Sequence, residues 1–272
     1  MVVVQEAQMP KSRARHSKKK PTAAHRDRGR PVSVDLGYLW RQALQGPIEV
    51  RLARTEAELS RFAEWGSMLG LDGPGIASEL IRAHRDRVLG AGVVRGNVWR
   101  AMARRHVSFE SLVMARTAAL VALDGDGTVI GGVLAGPDVG LLDAMSQDWD
   151  APAAVTALAL VAMWRVDLVA VDEPHRRRGV GSALMRALTA TAFYNATGAL
   201  YGAFAPREPG LSAFFGRPER ELFIYPTGAG VDVSVWLGGF PTVVMPEPDR
   251  CLFYLNLQPP PTPENPIARI PI

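Results

Sequence analysis

Between about residues 48 and 257, apolar and polar positions alternate in blocks that predict strands and helices in turn; the two ends of the chain carry no such pattern. "IEVRLA", 48–53, predicts a strand, and Thr55-Glu-Ala-Glu58 is the T-x-x-E capping box of a helix running to about Leu69. "LDGPG", 71–75, breaks the chain, after which Ile76, Leu80, Ile81 and Val88 at helical spacing predict a helix over 76–89, with a further helical piece in "NVWRAMARRH", 97–106. "TAALVALDGDGTVIGGVLAG", 117–136, predicts a hairpin, two apolar strands around Asp124-Gly-Asp-Gly127. Thr128-Val-Ile-Gly-Gly lacks the later ligands and closing Glu of a calcium loop. Residues 138–163 read as a polar patch with Asp143, Asp148 and Asp150, then an inserted helix in "APAAVTALALVAMW", 151–164. "RVDLVAV", 165–171, is β-branched and almost wholly apolar, as expected of a central strand covered on both faces. "GVGSALMRALTATAFYNATG", 179–198, predicts a helix with Leu184, Leu188 and Thr191/Ala192 on one face and an exit at Asn195 to Gly198; "ALYGAFA", 199–205, predicts another strand. Strand, arginine-glycine turn, helix and strand make a β-α-β unit.

The turn in that unit carries three consecutive arginines, Arg176, Arg177 and Arg178, directly before Gly179-Val180-Gly181. Like charges so close repel unless water or an anion sits among them. A helix begins there, and its unpaired N–H groups and positive dipole end favour an anion that glycines allow the backbone to approach. The anion expected is a phosphate or pyrophosphate. A Rossmann fingerprint fails because Leu184 stands where G-x-G-x-x-G/A needs its last small residue, and a P-loop fails because the folded part contains no lysine.

Composition changes the picture mainly at the ends. The chain has 272 residues, 47% of them hydrophobic, enough for one large domain or two small ones with a packed core. No run reaches the roughly 18–20 uncharged apolar residues of a membrane span, and no secretory signal is evident at the N-terminus. Cys251 is the single cysteine, which excludes an intramolecular disulfide and a Cys-rich metal site; a cytoplasmic protein without membrane association is expected. The net charge of +4 divides unevenly: residues 11–30 hold nine Lys/Arg and one acid, Asp27, whereas the remainder holds 22 Lys/Arg against 26 acids. Residues 1–32 therefore read as a basic disordered arm, either a solubilising tail or an arm for nucleic acid or another acidic partner through residues 11–30. Residues 258–272, "QPPPTPENPIARIPI" with its leading Gln258, read as a proline-rich tail, lying on the surface or docking on a second subunit of a homodimer.

The motif at 164–205 resembles the central motif of the GCN5-related N-acetyltransferase (GNAT) family: a strand ending in an apolar-x-apolar triplet, a short turn, then Q/R-x-x-G-x-G/A opening a helix. Val169-Ala170-Val171 stands for the triplet and Arg176-Arg177-Arg178-Gly179-Val180-Gly181 for the loop, with Ser182-Ala-Leu184 at the helix start. The flanking hairpin and strands extend the resemblance more loosely to 48–257. It implies an α/β, GNAT-type fold with a mixed, mostly antiparallel central sheet and a β-α-β acetyl-CoA-binding core over residues 33–257. It implies acetyl-CoA as co-substrate, with no metal. Backbone amides of Arg177 to Ser182 would hold the pyrophosphate, the exposed backbone of Val169 to Val171 would pair with pantetheine, and the strand at 199–205 would splay away to admit the thioester. It also implies direct transfer to an amine in a ternary complex, with a backbone N–H near Val171 polarising the carbonyl.

The chain departs from the family after the strand at 199–205. Where N-x-x-A-x-x-F-Y is usual, "EPGLSAFF", 208–215, puts Glu208 at the Asn and Phe215 at the Tyr that serves as general acid. Tyr201 or Tyr225 could substitute, or water, since a CoA thiolate is a tolerable leaving group. Asp167 on the central strand is a candidate base or a salt-bridged structural carboxylate, and Asp143, Asp148 and Asp150 are candidates for attracting a cationic amine. His84 and His106 have no second ligand at metal spacing, and His175 is a turn residue. The segment at about 54–116 would cap the acceptor side. Three readings stay open: a protein or peptide amine as acceptor; a small-molecule amine in a pocket lined by Trp65, Met68 and Trp99; or an acyl-CoA-binding or nucleic-acid-associated protein in which Phe215 marks lost catalysis.

Overall fold

The computed structural model describes residues 48–95, 108–208, 210–216 and 222–257. The basic arm, the piece at 97–106 with Trp99 and His106, and the proline-rich tail lie outside the described residues. Strand β1 (Glu49–Leu52) is followed by helix α1 (Glu56–Met68), α2 (Gly73–Arg85), a short α3 (Ala91–Arg95) and α4 (Phe109–Arg116). The hairpin β2 (Ala118–Leu123) and β3 (Val129–Gly136) leads into α5 (Val139–Gln147), α6 (Ala153–Ala162) and β4 (Met163–Val171). Then come α7 (Val180–Tyr194), β5 (Ala199–Phe204), α8 (Leu211–Phe215), β6 (Phe223–Tyr225), β7 (Val231–Asp232), β8 (Val243–Val244) and β9 (Cys251–Asn256).

Seven strands form one sheet in the order β1-β2-β3-β4-β5-β9-β6. Only β4 and β5 pair in parallel; every other neighbour in that sheet is antiparallel. The parallel pair is the β-α-β unit, with α7 as its crossover. Helix α7 covers one face, burying Leu184, Leu188 and Ala192 against Leu120, Val133, Trp164 and Leu200. The other face is shared. Leu59, Phe62 and Trp65 of α1 and Leu80 of α2 pack on Val121, Leu134 and Leu168; α5 and α6 pack on Met163, Ala199, Tyr201 and Leu252. Burial on both faces explains the unbroken apolar runs of β2 and β3.

Local chemistry sets most boundaries. Thr55 and Glu58 make the reciprocal capping box. Asp124 closes the hairpin turn by accepting from the N–H groups of Asp126 and Thr128. The break after α1 is shorter than the sequence suggests: Asp72 caps α2 and Pro74 sits in its first turn, where a missing N–H costs nothing, so α2 runs over Gly73–Arg85 rather than 76–89. It ends early because Arg87 turns left-handed, at φ 57°. The inserted helix expected over 151–164 is α6, cut short because Met163 and Trp164 belong to β4, and the polar patch before it holds a further helix, α5. An all-apolar run carries no period, and tertiary pairing of Met163 and Trp164 with Ala199 and Leu200 decides it. The helix expected over 179–198 stops at Tyr194.

Arg116 is an unforeseen core element. It is 2% exposed, stacks over Trp164 and donates to the carbonyls of Asn195 and Val161 at the ends of α7 and α6. Burial pushes its guanidinium down to about 10. No helix among the described residues is long and apolar enough to cross a membrane.

Two stability predictions follow from the packing of α1. A Cβ on Gly132 would lie 2.3 Å from the Trp65 ring. Gly132→Ala should therefore cost on the order of 1–3 kcal/mol by overpacking, read as a lowered Tm, whereas Gly125→Ala, with nothing within 4 Å, should leave Tm nearly unchanged; equal Tm values would contradict this packing. Second, the Arg51 guanidinium, helped by the Arg54 and Thr55 backbone N–H groups, holds the Glu58 carboxyl down at about 2 against an ordinary 4.5. A depressed carboxylate stabilises above its unfolded value and loses that contribution as pH falls through its folded one. Glu58→Gln should be less stable than wild type at pH 7 by about 1–3 kcal/mol, and urea titrations should show the gap closing between pH 4.5 and 2; a gap independent of pH would refute it.

Candidate functional site

The site is built by two strands that part. Pairing of β4 with β5 runs from Met163 opposite Ala199 to Val166 opposite Gly202 and stops there. Beyond that point β4 stays paired to β3 as far as Val171, and β5 stays paired to β9 as far as Phe204. Their facing edges are left open as a wedge. The cause is visible in the register of β3 and β4: Leu134 faces Leu168 but Ala135 faces Val166, so Asp167 is an extra residue, a bulge that bends β4 away. Val169, Ala170 and Val171 form one half-buried lip of this wedge.

At the far end of β4 the chain turns through a short 3-10 helix at Glu173–His175 into α7. Arg177 and Gly179 both have positive φ, 65° and 86°, which curls the backbone so that successive N–H groups converge at the start of α7. No side chain caps this helix, and its ladder begins with Ala183 N–H to Gly179 carbonyl. Arg176 is exposed like its two neighbours, and its Nε donates to the Val171 carbonyl at 3.1 Å. Arg177 and Arg178 are exposed. A Cβ at Gly181 would meet the Phe214 ring at 2.9 Å, so α8 lies against the opening turn of α7. This turn has the chemistry of an anion site, with converging N–H groups, a helix dipole and exposed guanidinium groups.

At the opposite end the wedge opens into a cavity of about 730 Å³. Arg165, Asp167, Tyr201 and Gly202 form its floor; α2 and α4 supply Glu79 and Met114, α5 and its C-cap supply Asp143 and Asp148, and the segment before β9 supplies Glu247 and Arg250. The floor is one polar chain. Asp138, the N-cap of α5, accepts from Arg165 Nη1 at 2.9 Å and from the Tyr201 hydroxyl at 2.9 Å, and Arg165 Nε donates to Asp167 at 2.6 Å. Burial drives the Asp167 carboxyl upward and Arg165 pulls it partly back. Burial, then the neighbouring Asp138, pushes the Tyr201 phenol well above its ordinary value. Burial opposes the charge on Arg165, yet the carboxylates of Asp167 and Asp138 outweigh it and hold the guanidinium charged.

The sequence-predicted residues divide accordingly. Val169 to Val171 and Arg176 to Ser182 lie along one continuous path from the wedge to the start of α7. Asp167, Tyr201, Asp143 and Asp148 meet in the cavity; Asp150 lies just past its rim residues, at φ 48°. Trp65 and Met68 do not line the cavity, contrary to expectation: Trp65 is in the core, where it donates to Asp172, and Met68 is 62% exposed on the outside of α1. Phe215 is a core residue stacked between Phe204 and Phe253, while Glu208 is exposed. Tyr225 is half-buried on β6, and burial raises its phenol. His84 and His175 stand apart, and among the described residues no group of three or more His, Cys, Asp or Glu could hold a metal. Sequence reasoning missed Asp138 and Arg165. The Asp138-Val-Gly-Leu141 cap before α5 was a readable signal for Asp138, but its reach to β4 and β5 was not.

Residues 97–202 match the model of the acetyltransferase (GNAT) family. No curated protein matches the chain significantly. Among solved structures, a GNAT-family acetyltransferase from Staphylococcus aureus is 11% identical, with 78% of this chain and 99% of that one covered and a TM-score of 0.41. Ard1 from Thermoplasma volcanium is 12% identical, with 79% and 100% covered and a TM-score of 0.41. The yncA protein of Salmonella typhimurium, solved with its cofactor acetyl-CoA, is 12% identical, with 78% and 95% covered and a TM-score of 0.43. The family-model match covers the hairpin, β4, the arginine-glycine turn and α7, so residues 97–202 are what this chain shares with GNAT-family acetyltransferase domains.

Proposed function

We propose that the protein transfers an acetyl group from acetyl-CoA directly to a small-molecule amine in a ternary complex. The observation that carries this reading is the wedge itself, which runs from an anion-binding helix start at one end to an acidic cavity at the other. The pyrophosphate would lie on the backbone N–H groups of Arg177 to Ser182, with Arg177 and Arg178 adding charge. The pantetheine amides would pair with the open edge of Val169 to Val171, as an added strand pairs with a sheet edge. The thioester would then reach the parting point at Val166 and Gly202, where the cavity meets it.

A volume of about 730 Å³ is in the range of small-molecule sites, roughly 300–1,000 Å³, which favours a small amine over a folded protein surface. Its acids outnumber its arginines, which favours a cation. The family's usual tyrosine acid has no counterpart at Phe215, buried among aromatic rings, the Tyr201 hydroxyl is already engaged by Asp138, and Tyr225 on β6 is not among the residues that line the cavity. The departing thiolate is therefore protonated from water or from the acceptor's own nitrogen.

Titration calorimetry tests the cofactor end. Acetyl-CoA should bind wild type, and the double variant Arg177→Glu/Arg178→Glu should bind it at least about tenfold more weakly, or ~1.4 kcal/mol, with Tm unchanged because both side chains are exposed; equal affinity would remove the anion site from the turn. The acceptor end is read by release of CoA thiol. Cationic amines should be acetylated ahead of amines that carry a carboxylate, and the preference should weaken with salt. A preference for anionic amines would contradict the charge of the cavity. No acetyl-CoA binding, together with salt-sensitive RNA or DNA binding that vanishes on removing residues 1–30, would favour the nucleic-acid reading instead.

A further inference from the structure

Arg165 and Tyr201 are directly opposed in the parallel pair, one step before β4 and β5 part. Both side chains converge on Asp138, which lies two residues beyond β3 and begins α5. Its Oδ1 accepts from Leu141 N–H and Arg165 Nη1, and its Oδ2 accepts from the Tyr201 hydroxyl. Asp138 is 8% exposed and both oxygens are occupied, so it has little left to offer a substrate. Asp167 is different. Only its Oδ1 is held, by Arg165 Nε; its Oδ2 has no hydrogen bond among the described residues, and its side chain, 29% exposed, lines the cavity. A carboxylate on a bulge has freedom that a laddered residue lacks, and here a fork of guanidinium donors removes it.

Resting on the acyl-transfer reading above, we propose that Asp138 is a positioning residue that, through Arg165, aims the free oxygen of Asp167 at the acceptor, whose proton Asp167 takes. An incoming ammonium gives one proton to the Asp167 carboxylate. The freed nitrogen lone pair forms the N–C bond as the C–S bond breaks, its electron pair leaving on sulfur. The second proton shed by nitrogen converts that thiolate to CoA thiol, which balances the reaction. Tyr201 serves as a pin between β5 and Asp138.

The charges facing Asp167 are Arg165 on its own strand, Asp138 at the α5 cap and Tyr201 on β5; further round the cavity stand Glu79, Asp143, Asp148, Glu247 and Arg250. Asp138 raises the Asp167 carboxyl and Arg165 lowers it. The two partners can therefore be told apart by sign. Asp138→Asn removes a negative charge while keeping a good helix cap, so the Asp167 midpoint should fall. Arg165→Lys keeps the charge but loses the fork, so the midpoint should rise. The probe is the side-chain carboxyl carbon of Asp167 followed by carbon-13 NMR through a pH titration of the full chain, with Tm measured on each variant. The acid limb of kcat/KM for the acetylated amine should move with each midpoint. Midpoints that stay put, or move in the same direction in both variants, would overturn the assignment of Asp138. Acetylation with unmoved midpoints would do the same, whereas opposite shifts without acetylation of any amine would sustain the ion chain and remove the acyl-transfer reading.

Discussion

The parting of β4 from β5 after Val166 and Gly202 is the constraint on which the rest of the structure turns. An open strand edge inside a protein leaves N–H and C=O groups without partners, and folded chains avoid that unless something else fills the gap. Here the gap is held open from outside. β3 keeps β4 in place through Gly131 opposite Val171, and β9 keeps β5 in place through Cys251 opposite Phe204. The bulge at Asp167 supplies the bend, and the Tyr201–Asp138–Arg165 contacts pin the last paired step across the fork. A wedge so supported presents backbone hydrogen-bonding groups to a ligand that can lie along it as an extra strand.

The two ends of the wedge differ in electrostatic character. At one end the left-handed turns at Arg177 and Gly179 and the start of α7 present positive charge; at the other, Glu79, Asp143, Asp148 and Glu247 outnumber Arg250 around the cavity. A substrate with phosphates at one end and a thioester at the other, meeting a cationic amine, suits that polarity. The ends are also mechanically joined. Asp172, directly after β4, accepts from Arg61 Nη2 and Trp65 Nε1 of α1, and Trp65 in turn packs over Gly132 of β3. The helix layer over the cavity side of the sheet is thus tied to the loop that opens α7.

Much of this was legible in the sequence wherever a signal is local. The capping box at Thr55 and Glu58, the hairpin around Asp124 to Gly127, and the strand, turn and helix from 165 to 194 all depend on residues within a few positions of one another. The failures have a common physical origin in distance. Met163 and Trp164 look like the end of an apolar helix until Ala199 and Leu200 are beside them. Asp138 reads as a helix cap, and nothing near it announces Arg165 or Tyr201. Phe215 reads as a missing acid, and the structure shows why an aromatic ring stands there, between Phe204 and Phe253. Asp167 was visible as an odd carboxylate in a central strand, but its place in a bulge depends on the register with β3.

The most direct test of the central claim is a crystal structure of the protein with a non-hydrolysable acetyl-CoA analogue. The pyrophosphate should lie on the backbone of Arg177 to Ser182, the pantetheine should pair along Val169 to Val171, and the acyl carbonyl should sit at the fork between Val166 and Gly202, facing Asp167. An analogue bound elsewhere, or β4 and β5 closed along their full length with the acyl chain outside, would contradict it.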